Sequence, residues 1–168
     1  MRLLQRLLGR PDRGTAPLLY DRIVALGRAP HWYLEGKVSD TIDGQFDMIA
    51  AVLSLVLLRL EVDPSGVAPS TALAECFIDD MDGQLREIGI GDIIVGKHMG
   101  RMMGMIGGQL GAYRSGLAEG ALAPALVRNL YRGRAPDPAA LVHVETELRA
   151  LRDRLAASTT ELIIAGEL

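Results

Sequence analysis

The chain has 168 residues, of which 49% are hydrophobic and 4% aromatic, so it can fill one core with aliphatic and Met side chains. Its single cysteine excludes an intramolecular disulfide, and no basic patch interleaved with aromatic residues indicates a specific nucleic-acid partner. The net charge of −3 hides an asymmetry, because residues 1–34 carry +4, residues 35–92 carry −9 and residues 93–168 carry +2.

The N-terminal segment predicts a short amphipathic helix. We expect residues 1–14 to form a basic arm and residues 15–168 a helical domain. In one interpretation the arm contacts a membrane surface, through leucines and through arginines near anionic headgroups. In the other, it docks onto the chain's own domain. The residues expected to contact a membrane are Leu3, Leu4, Leu7, Leu8, Arg2 and Arg6.

No segment predicts a transmembrane helix or a signal peptide. The longest uncharged apolar run, residues 48–58, has about half of the ~20 residues that cross a bilayer. The basic N-terminus has no apolar run of signal-peptide length. We therefore expect a cytoplasmic protein, with peripheral binding at the inner face of the cytoplasmic membrane as an extension of the arm hypothesis.

Apolar periodicity predicts an all-α protein, a single compact domain of about six to seven helices with a short amphipathic N-terminal helix. The segment 41–60 is apolar nearly all round after Met48 and should be the buried central helix. The tail at 158–168 is expected to be docked or disordered. The remaining predicted helices cover residues 17–28, 69–88, 95–117, 122–131 and 138–155, with an aromatic corner at 31–34 and a turn at 63–66.

The predicted helix at 95–117 is unusual because it is rich in glycine and methionine. Gly100, Gly104, Gly108 and Gly111 lie nearly in line on it. Each interior glycine costs about 0.5 to 1 kcal/mol relative to alanine, so a compensating interaction is expected. We favour close packing of another helix against these glycines. The alternative is a deformable Met-rich groove that accepts apolar segments of a partner.

An acidic constellation opens the central helix. Asp40, Asp43 and Asp47 stack along one side of its first turns, where the helix macrodipole favours negative charge. A second acidic passage covers residues 77–92. Both passages have two interpretations, as helix caps with a solvated face or as an exposed acidic rim that binds the Arg and Lys side chains of a partner.

The sequence predicts neither a catalytic nor a metal site. His31, His98 and His143 form no paired helical ligand motif, and Cys76 sits on an apolar helical pattern that favours a packed thiol. The glycine clusters do not follow a strand, which excludes phosphate-loop and dinucleotide motifs. We expect no enzyme activity, no cofactor and no small-molecule substrate.

Read together over roughly residues 17–118, these passages resemble the bacterial ubiquinol-cytochrome c chaperone family. The resemblance rests on the two acidic passages and on the pairs Leu19-Tyr20, Ala29-Pro30, Trp32-Tyr33 and Ala112-Tyr113. The Gly-rich segment departs from the family pattern, which is richer there in Ala, Lys and Glu. The matching positions are Tyr20, Pro30, Tyr33, Asp40, Thr41, Asp43, Gly44, Phe46, Asp47, Met48, Asp79, Met81, Asp82, Arg86, Gly91, Asp92, Gly96 and Tyr113.

The resemblance implies an assembly chaperone that binds cytochrome b, nascent or newly inserted, and supports biogenesis of the ubiquinol-cytochrome c reductase (bc1) complex. The ribosome and the membrane surface are candidate further contacts. An alternative is a peripheral membrane scaffold or adaptor with no cytochrome b client, and an enzyme built on helical carboxylates is the least favoured hypothesis. The expected partner-binding residues are Tyr33, Asp40, Asp43, Phe46, Asp47, Asp79, Asp82, Glu87 and Asp92.

These residues divide into an expected core and an expected surface. Phe46, Met48 and Met81 should be buried among apolar neighbours. The expected surface carboxylates are Asp40, Asp43, Asp47, Asp82 and Asp92.

Overall fold

The computed structural model describes residues 13–87 and 92–168, which form an all-α structure, as predicted. In this part of the chain two helices are short, α2 (His31–Leu34) and α8 (Thr160–Ile164). A 3-10 turn covers Pro64–Gly66. Six helices have eight or more residues, namely α1 (Ala16–Gly27), α3 (Ile42–Leu60), α4 (Val67–Glu87), α5 (Asp92–Ala118), α6 (Leu122–Asn129) and α7 (Pro138–Ala157).

Helix α3 forms the centre of the fold because its sequence is apolar on every side after the second turn. All residues from Met48 to Leu57 are buried, and helices α1, α4, α5 and α7 pack around them. The buried hydroxyl of Ser54 donates a hydrogen bond of 2.7 Å to the carbonyl of Ala50, so this polar group is satisfied inside the core. The predicted buried central helix is confirmed.

The C-terminal segment is docked, which decides between the two alternatives for the tail. Ile163 of α8 is fully buried in the core. Thr15 donates a hydrogen bond of 2.9 Å from its hydroxyl to the carbonyl of Ile164. Arg59 of α3 donates a hydrogen bond of 2.7 Å to the carbonyl of Ser158, just beyond the C-terminal end of α7. The macrodipole of α7 also favours a cation at this end.

The core contains most of the apolar side chains that the sequence placed there. Met48 and Met81 are fully buried, while Phe46 is half-buried with its ring edge-on to Phe77, the two ring centres 5.9 Å apart. Cys76 is a buried free thiol whose pKa is raised by burial, in agreement with the packed thiol predicted for it.

Helix boundaries lie within a few residues of the predicted ones. Helix α4 begins at Val67, two residues earlier than predicted, because the 3-10 turn leads directly into it. Helix α6 ends at Asn129 and the chain then enters a turn. Within residues 13–87 and 92–168, no helix is both long and apolar enough to cross a membrane.

Candidate functional site

The acidic start of α3 is organised by bonds within the molecule. The N-cap residue is Thr41, whose hydroxyl oxygen accepts a hydrogen bond of 3.1 Å from the backbone N–H of Gly44. Asp40 accepts one of 2.9 Å from the side chain of Gln45. Asp40 and Asp43 are exposed, as predicted. The cap is therefore a threonine, and the aspartates around it have other partners.

Asp47 is buried, with a side chain only 5% exposed, so the surface position predicted for it is wrong. It faces the side of α3 that α5 covers, whereas Asp43, one turn earlier, projects into solvent. Arg132, beyond the end of α6, donates hydrogen bonds to Asp47 at 2.7 Å and to Asp43 at 3.1 Å. Burial raises the pKa of Asp47, and the guanidinium of Arg132 opposes that rise.

The carboxylates of α4 also have partners inside the molecule. Arg13 donates a hydrogen bond of 2.7 Å to Asp79, and Asp82 pairs with Arg86 one turn away at 2.9 Å. Glu87 is exposed at the end of the helix. The side chain of Asp92, at the start of α5, lies outside the described part of the structure. Arginines thus neutralise much of the acidic segment, and several of them come from elsewhere in the chain.

The two aromatic residues predicted to bind a partner also support the fold. The hydroxyl of Tyr33 donates a hydrogen bond of 2.6 Å to the carbonyl of Gly27, and burial raises the pKa of Tyr33 to about 12. Phe46 packs against Phe77, as described above. Tyr33 and Asp40 also line an open cavity of about 500 Å³ beside the exposed Leu34, so this corner keeps an accessible apolar edge.

Several predicted residues lie outside the described residues. They are Gly91 of the second acidic passage and the six residues expected to contact a membrane, Leu3, Leu4, Leu7, Leu8, Arg2 and Arg6. Their roles stay predictions.

Helix α5 presents the glycines in its middle to open space. A Cβ atom added at Gly100, Gly104, Gly108 or Gly111 would meet nothing within 4 Å outside its own stretch of helix. The predicted close packing of another helix against these glycines is therefore wrong. Helix α5 packs against α3, α4 and α6 through its other faces, as the buried Tyr113 shows. The alternative, an open Met-rich groove, has the geometry in its favour.

The groove lies between α5 and α6 and has a volume of about 710 Å³. Gly104, Met105 and Gly108 of α5 contribute the apolar part of its lining. Met103 and Met105 are 50% and 49% exposed, so these two methionines of α5 are accessible. The groove therefore offers bare helix backbone beside the flexible thioether side chain of Met105.

Three arginines and a single carboxylate, Asp47, give this groove its charge. Arg132 is engaged by Asp47, as described above. Among the described residues, neither Arg101 nor Arg128 forms an ion pair. The groove thus has an excess of positive charge, in contrast to the acidic segment of the chain.

In each of two side-chain amides at the groove, one buried atom lacks a hydrogen-bond partner among the described residues. Gln109 is only 4% exposed and its Oε1 atom accepts no hydrogen bond, while the Nδ2 atom of Asn129 donates none. An unpaired buried polar group costs about 1 to 3 kcal/mol, so a molecule that supplies the missing partners would stabilise the site. The groove can hold an apolar segment that also carries a polar group.

The polar lining of the groove escaped the sequence-based prediction. A signal existed for Gln109, which is the single amide side chain between Met102 and Tyr113. None existed for Arg128 and Asn129, because only the tertiary packing of α6 against α5 brings them to the glycines. The described part of the chain contains no group of three or more His, Cys, Asp or Glu side chains that could hold a metal ion.

Comparison with known proteins assigns the chain to a family. Residues 34–168 match the family model described as ubiquinol-cytochrome C chaperone, which reaches well beyond residue 118, where the resemblance in sequence ends. The crystal structure of the Cbp3 homolog from Brucella abortus matches 100% of this chain and 95% of that chain, with a TM-score of 0.82 and 32% sequence identity. No curated protein matches. The chain therefore belongs to the ubiquinol-cytochrome c chaperone family, and is a non-enzymatic assembly factor of the bc1 complex.

Proposed function

We propose that this assembly chaperone binds newly made cytochrome b and holds an apolar segment of it in the groove between α5 and α6. The observation that carries the proposal is the open glycine face, since no other part of the described chain covers Gly104 or Gly108. Cytochrome b is a multi-span membrane protein, and its apolar helices need a temporary partner until they are packed in the bc1 complex.

The composition of the groove suits a helical apolar client. Small residues spaced four apart allow two helix backbones to approach closely, as they do between membrane helices. The exposed side chain of Met105 in the groove, with the exposed Met103 nearby on α5, can adapt to differently shaped segments. Each exposed glycine weakens α5 by about 0.5 to 1 kcal/mol, and nothing in the described structure offsets that cost in the free protein. Packing of a client against the glycines would offset it.

A second contact in this proposal uses the acidic rim. Asp40, Asp43, Asp79, Asp82 and Glu87 are fully or partly accessible to solvent. By the positive-inside rule the cytoplasmic loops of a membrane protein carry Lys and Arg, which these carboxylates would hold through screened charge pairs. Asp47 contributes indirectly, because it positions Arg132 between the rim and the groove.

Filling the groove tests the proposal. Gly104→Leu places a large side chain in the open space, and the resulting overlap with a client, about 1 to 3 kcal/mol, corresponds to a roughly five- to hundredfold loss of binding. The matched control is Gly83→Leu on α4, where an added Cβ also meets nothing within 4 Å but which does not line the groove. We expect co-purified cytochrome b to fall at least about fivefold for Gly104→Leu, and by no more than the roughly two- to threefold effect of a rim contact for Gly83→Leu, which neighbours Asp82.

Stability must be measured beside capture. Both variants should unfold at or above the wild-type denaturant midpoint, because leucine has a better helix propensity than glycine and neither site is crowded. Equal capture of cytochrome b by the two folded variants would refute the groove as the client site.

We also propose that the N-terminal arm delivers the chaperone to the membrane where its client is inserted. The support is the sequence pattern alone, four leucines on one helical face with arginines beside them. In liposome flotation, binding to anionic vesicles should fall with salt and disappear when residues 1–10 are deleted, since each arginine near anionic lipid contributes about 1 kcal/mol. Equal flotation of the deleted and intact proteins would exclude an anchoring arm.

A further inference from the structure

We propose that the groove selects client helices that carry an acidic side chain, whose carboxylate is bound by Arg101 and Arg128. This inference rests on the proposed function and specifies its client segment. The occupant is an apolar helix with one Asp or Glu that reaches the arginines while small or apolar residues contact the glycine face.

Charge complementarity is the first argument. Arg101 and Arg128 lie on the two helices that form the groove, and neither has an ion-pair partner in the described part of the chain. Arg132 is already held by Asp43 and Asp47, which offset its charge, so the positive potential of the groove comes from Arg101 and Arg128. A guanidinium binds a carboxylate through paired, charge-assisted hydrogen bonds, which gains strength where apolar atoms exclude water.

The unpaired amides are the second and independent argument. Gln109 is 96% buried, lines the groove and has an Oε1 atom without a donor. The Nδ2 atom of Asn129, beside Arg128, lacks an acceptor. Both atoms are already shielded from water in the free protein, and a purely apolar helix would leave them unpaired. A carboxylate supplies the acceptor that Asn129 lacks, and the Oε1 atom of Gln109 needs a donor, such as a hydroxyl or amide of the same segment, so the amides favour a client segment with polar groups at this point.

The same charges exclude a basic occupant. A Lys or Arg side chain entering the groove would face the guanidinium groups of Arg101 and Arg128, while the carboxylate of Asp47 is already paired with Arg132. The acidic rim therefore suits the basic loops of a client, while the groove suits an acidic residue within one of its helices. The two surfaces would therefore bind groups of opposite charge.

Two synthetic peptides test the selection directly. Each is a Leu/Ala-rich helix of about 20 residues with Lys pairs at both ends, and they differ only in a central Glu or Gln. Full-length protein is titrated against each fluorescently labelled peptide in dilute detergent, and binding is followed by anisotropy. We expect the Glu peptide to bind about tenfold more tightly than the Gln peptide, which is the scale of a charge-assisted pair.

Variants assign that preference to the arginines. Arg101→Gln combined with Arg128→Gln should remove the tenfold preference and leave the affinity for the Gln peptide unchanged. Arg154→Gln, which alters an exposed arginine of α7 away from the groove, should retain it. Equal binding of the two peptides to the wild-type protein, or a preference that survives in the double variant, would overturn the proposal.

Other outcomes separate this inference from the proposed function. If both peptides bind equally and Gly104→Leu abolishes the binding of both, the groove holds a client helix without charge selection and only the inference fails. Failure of both peptides to bind also overturns the inference, as does displacement of both by anionic lipid vesicles alone, which would assign the arginines to lipid phosphates. The proposed function is decided separately, by cytochrome b capture with Gly104→Leu and Gly83→Leu.

Discussion

The acidic passages and the glycine face of α5 differ in how much of their chemistry is used inside the molecule. Of the acidic side chains, Asp47 and Asp79 are engaged by Arg132 and Arg13. The glycine face, which the sequence suggested was a packing surface, meets no other part of the described chain. A segment's composition states which contacts it can make, whereas its availability to a partner depends on neighbours that are distant in sequence.

The acidic segment looks like a free binding surface in the sequence because its ion-pair partners are distant along the chain. Asp47 and Arg132 are 85 residues apart and Asp79 and Arg13 are 66 residues apart, so no local pattern announces either pair. The −9 balance of residues 35–92 is real, but much of it is met by arginines from the flanking, positively charged segments. Charge asymmetry along a sequence can therefore describe intramolecular pairing as well as a binding surface.

The largest effect is expected from breaking the pair that joins the two regions. Arg132→Gln leaves Asp47 buried without its counter-charge and should lower the free energy of unfolding by about 2 to 4 kcal/mol, near the lower end for buried pairs because Arg132 is half exposed. Chemical denaturation at neutral pH measures it. Arg134→Gln is the control, an exposed arginine close by with no ion pair among the described residues, and it should change stability little.

The stability deficit of Arg132→Gln should depend on pH in a defined direction. Folding raises the pKa of Asp47, and in the variant it rises further because the arginine that opposed the rise is gone. A carboxyl with a raised folded pKa contributes stability that is present below its unfolded pKa of about 3.9 and is lost as pH rises through the folded value. The deficit of Arg132→Gln should therefore shrink as pH falls from about 7 towards about 4. A deficit that stays constant or grows would mean that Asp47 is not the group left uncompensated.

Glycines on α3 and α5 offer the next test, because the same substitution should have opposite effects. Gly44 is buried against the carbonyl of Ser39, so Gly44→Ala forces a clash and should cost about 1 to 3 kcal/mol. Gly104 has open space, so Gly104→Ala should gain about 0.5 to 1 kcal/mol from helix propensity. Thermal and denaturant unfolding of the two variants would measure the difference. Destabilisation by Gly104→Ala would restore close packing as the role of this glycine.

Much of the fold could be predicted because its signals are local. The apolar run of residues 48–57 identified the central helix, and Thr41, Pro138 and the Gly-containing turns marked helix ends. The site could not be predicted to the same depth. Whether a glycine position tolerates a larger side chain depends on what faces it, and the residues that flank Gly44 and Gly104 do not show this. The groove requires α6 beside α5, which is a tertiary fact.

The acidic rim is best tested by a variant that has little effect on stability. Asp82→Asn combined with Glu87→Gln removes two carboxylates at the end of α4. The lost pair joins Asp82 to Arg86 across one helical turn, so the free energy of unfolding should fall by only about 0.3 to 0.5 kcal/mol. Capture of cytochrome b at low salt should fall about two- to threefold, as expected for screened rim charges.

Glu145→Gln supplies the matched control, because it breaks a similar pair with Arg149 on α7, away from the proposed contacts. The difference between the two variants should disappear towards about 1 M salt, where the Debye length is about 3 Å. Equal capture at low salt would show that the acids of α4 act within the fold and leave client binding to the groove. A salt-sensitive loss confined to Asp82→Asn and Glu87→Gln would instead mean that the client touches both surfaces, its basic loops on the rim and its apolar segment against α5.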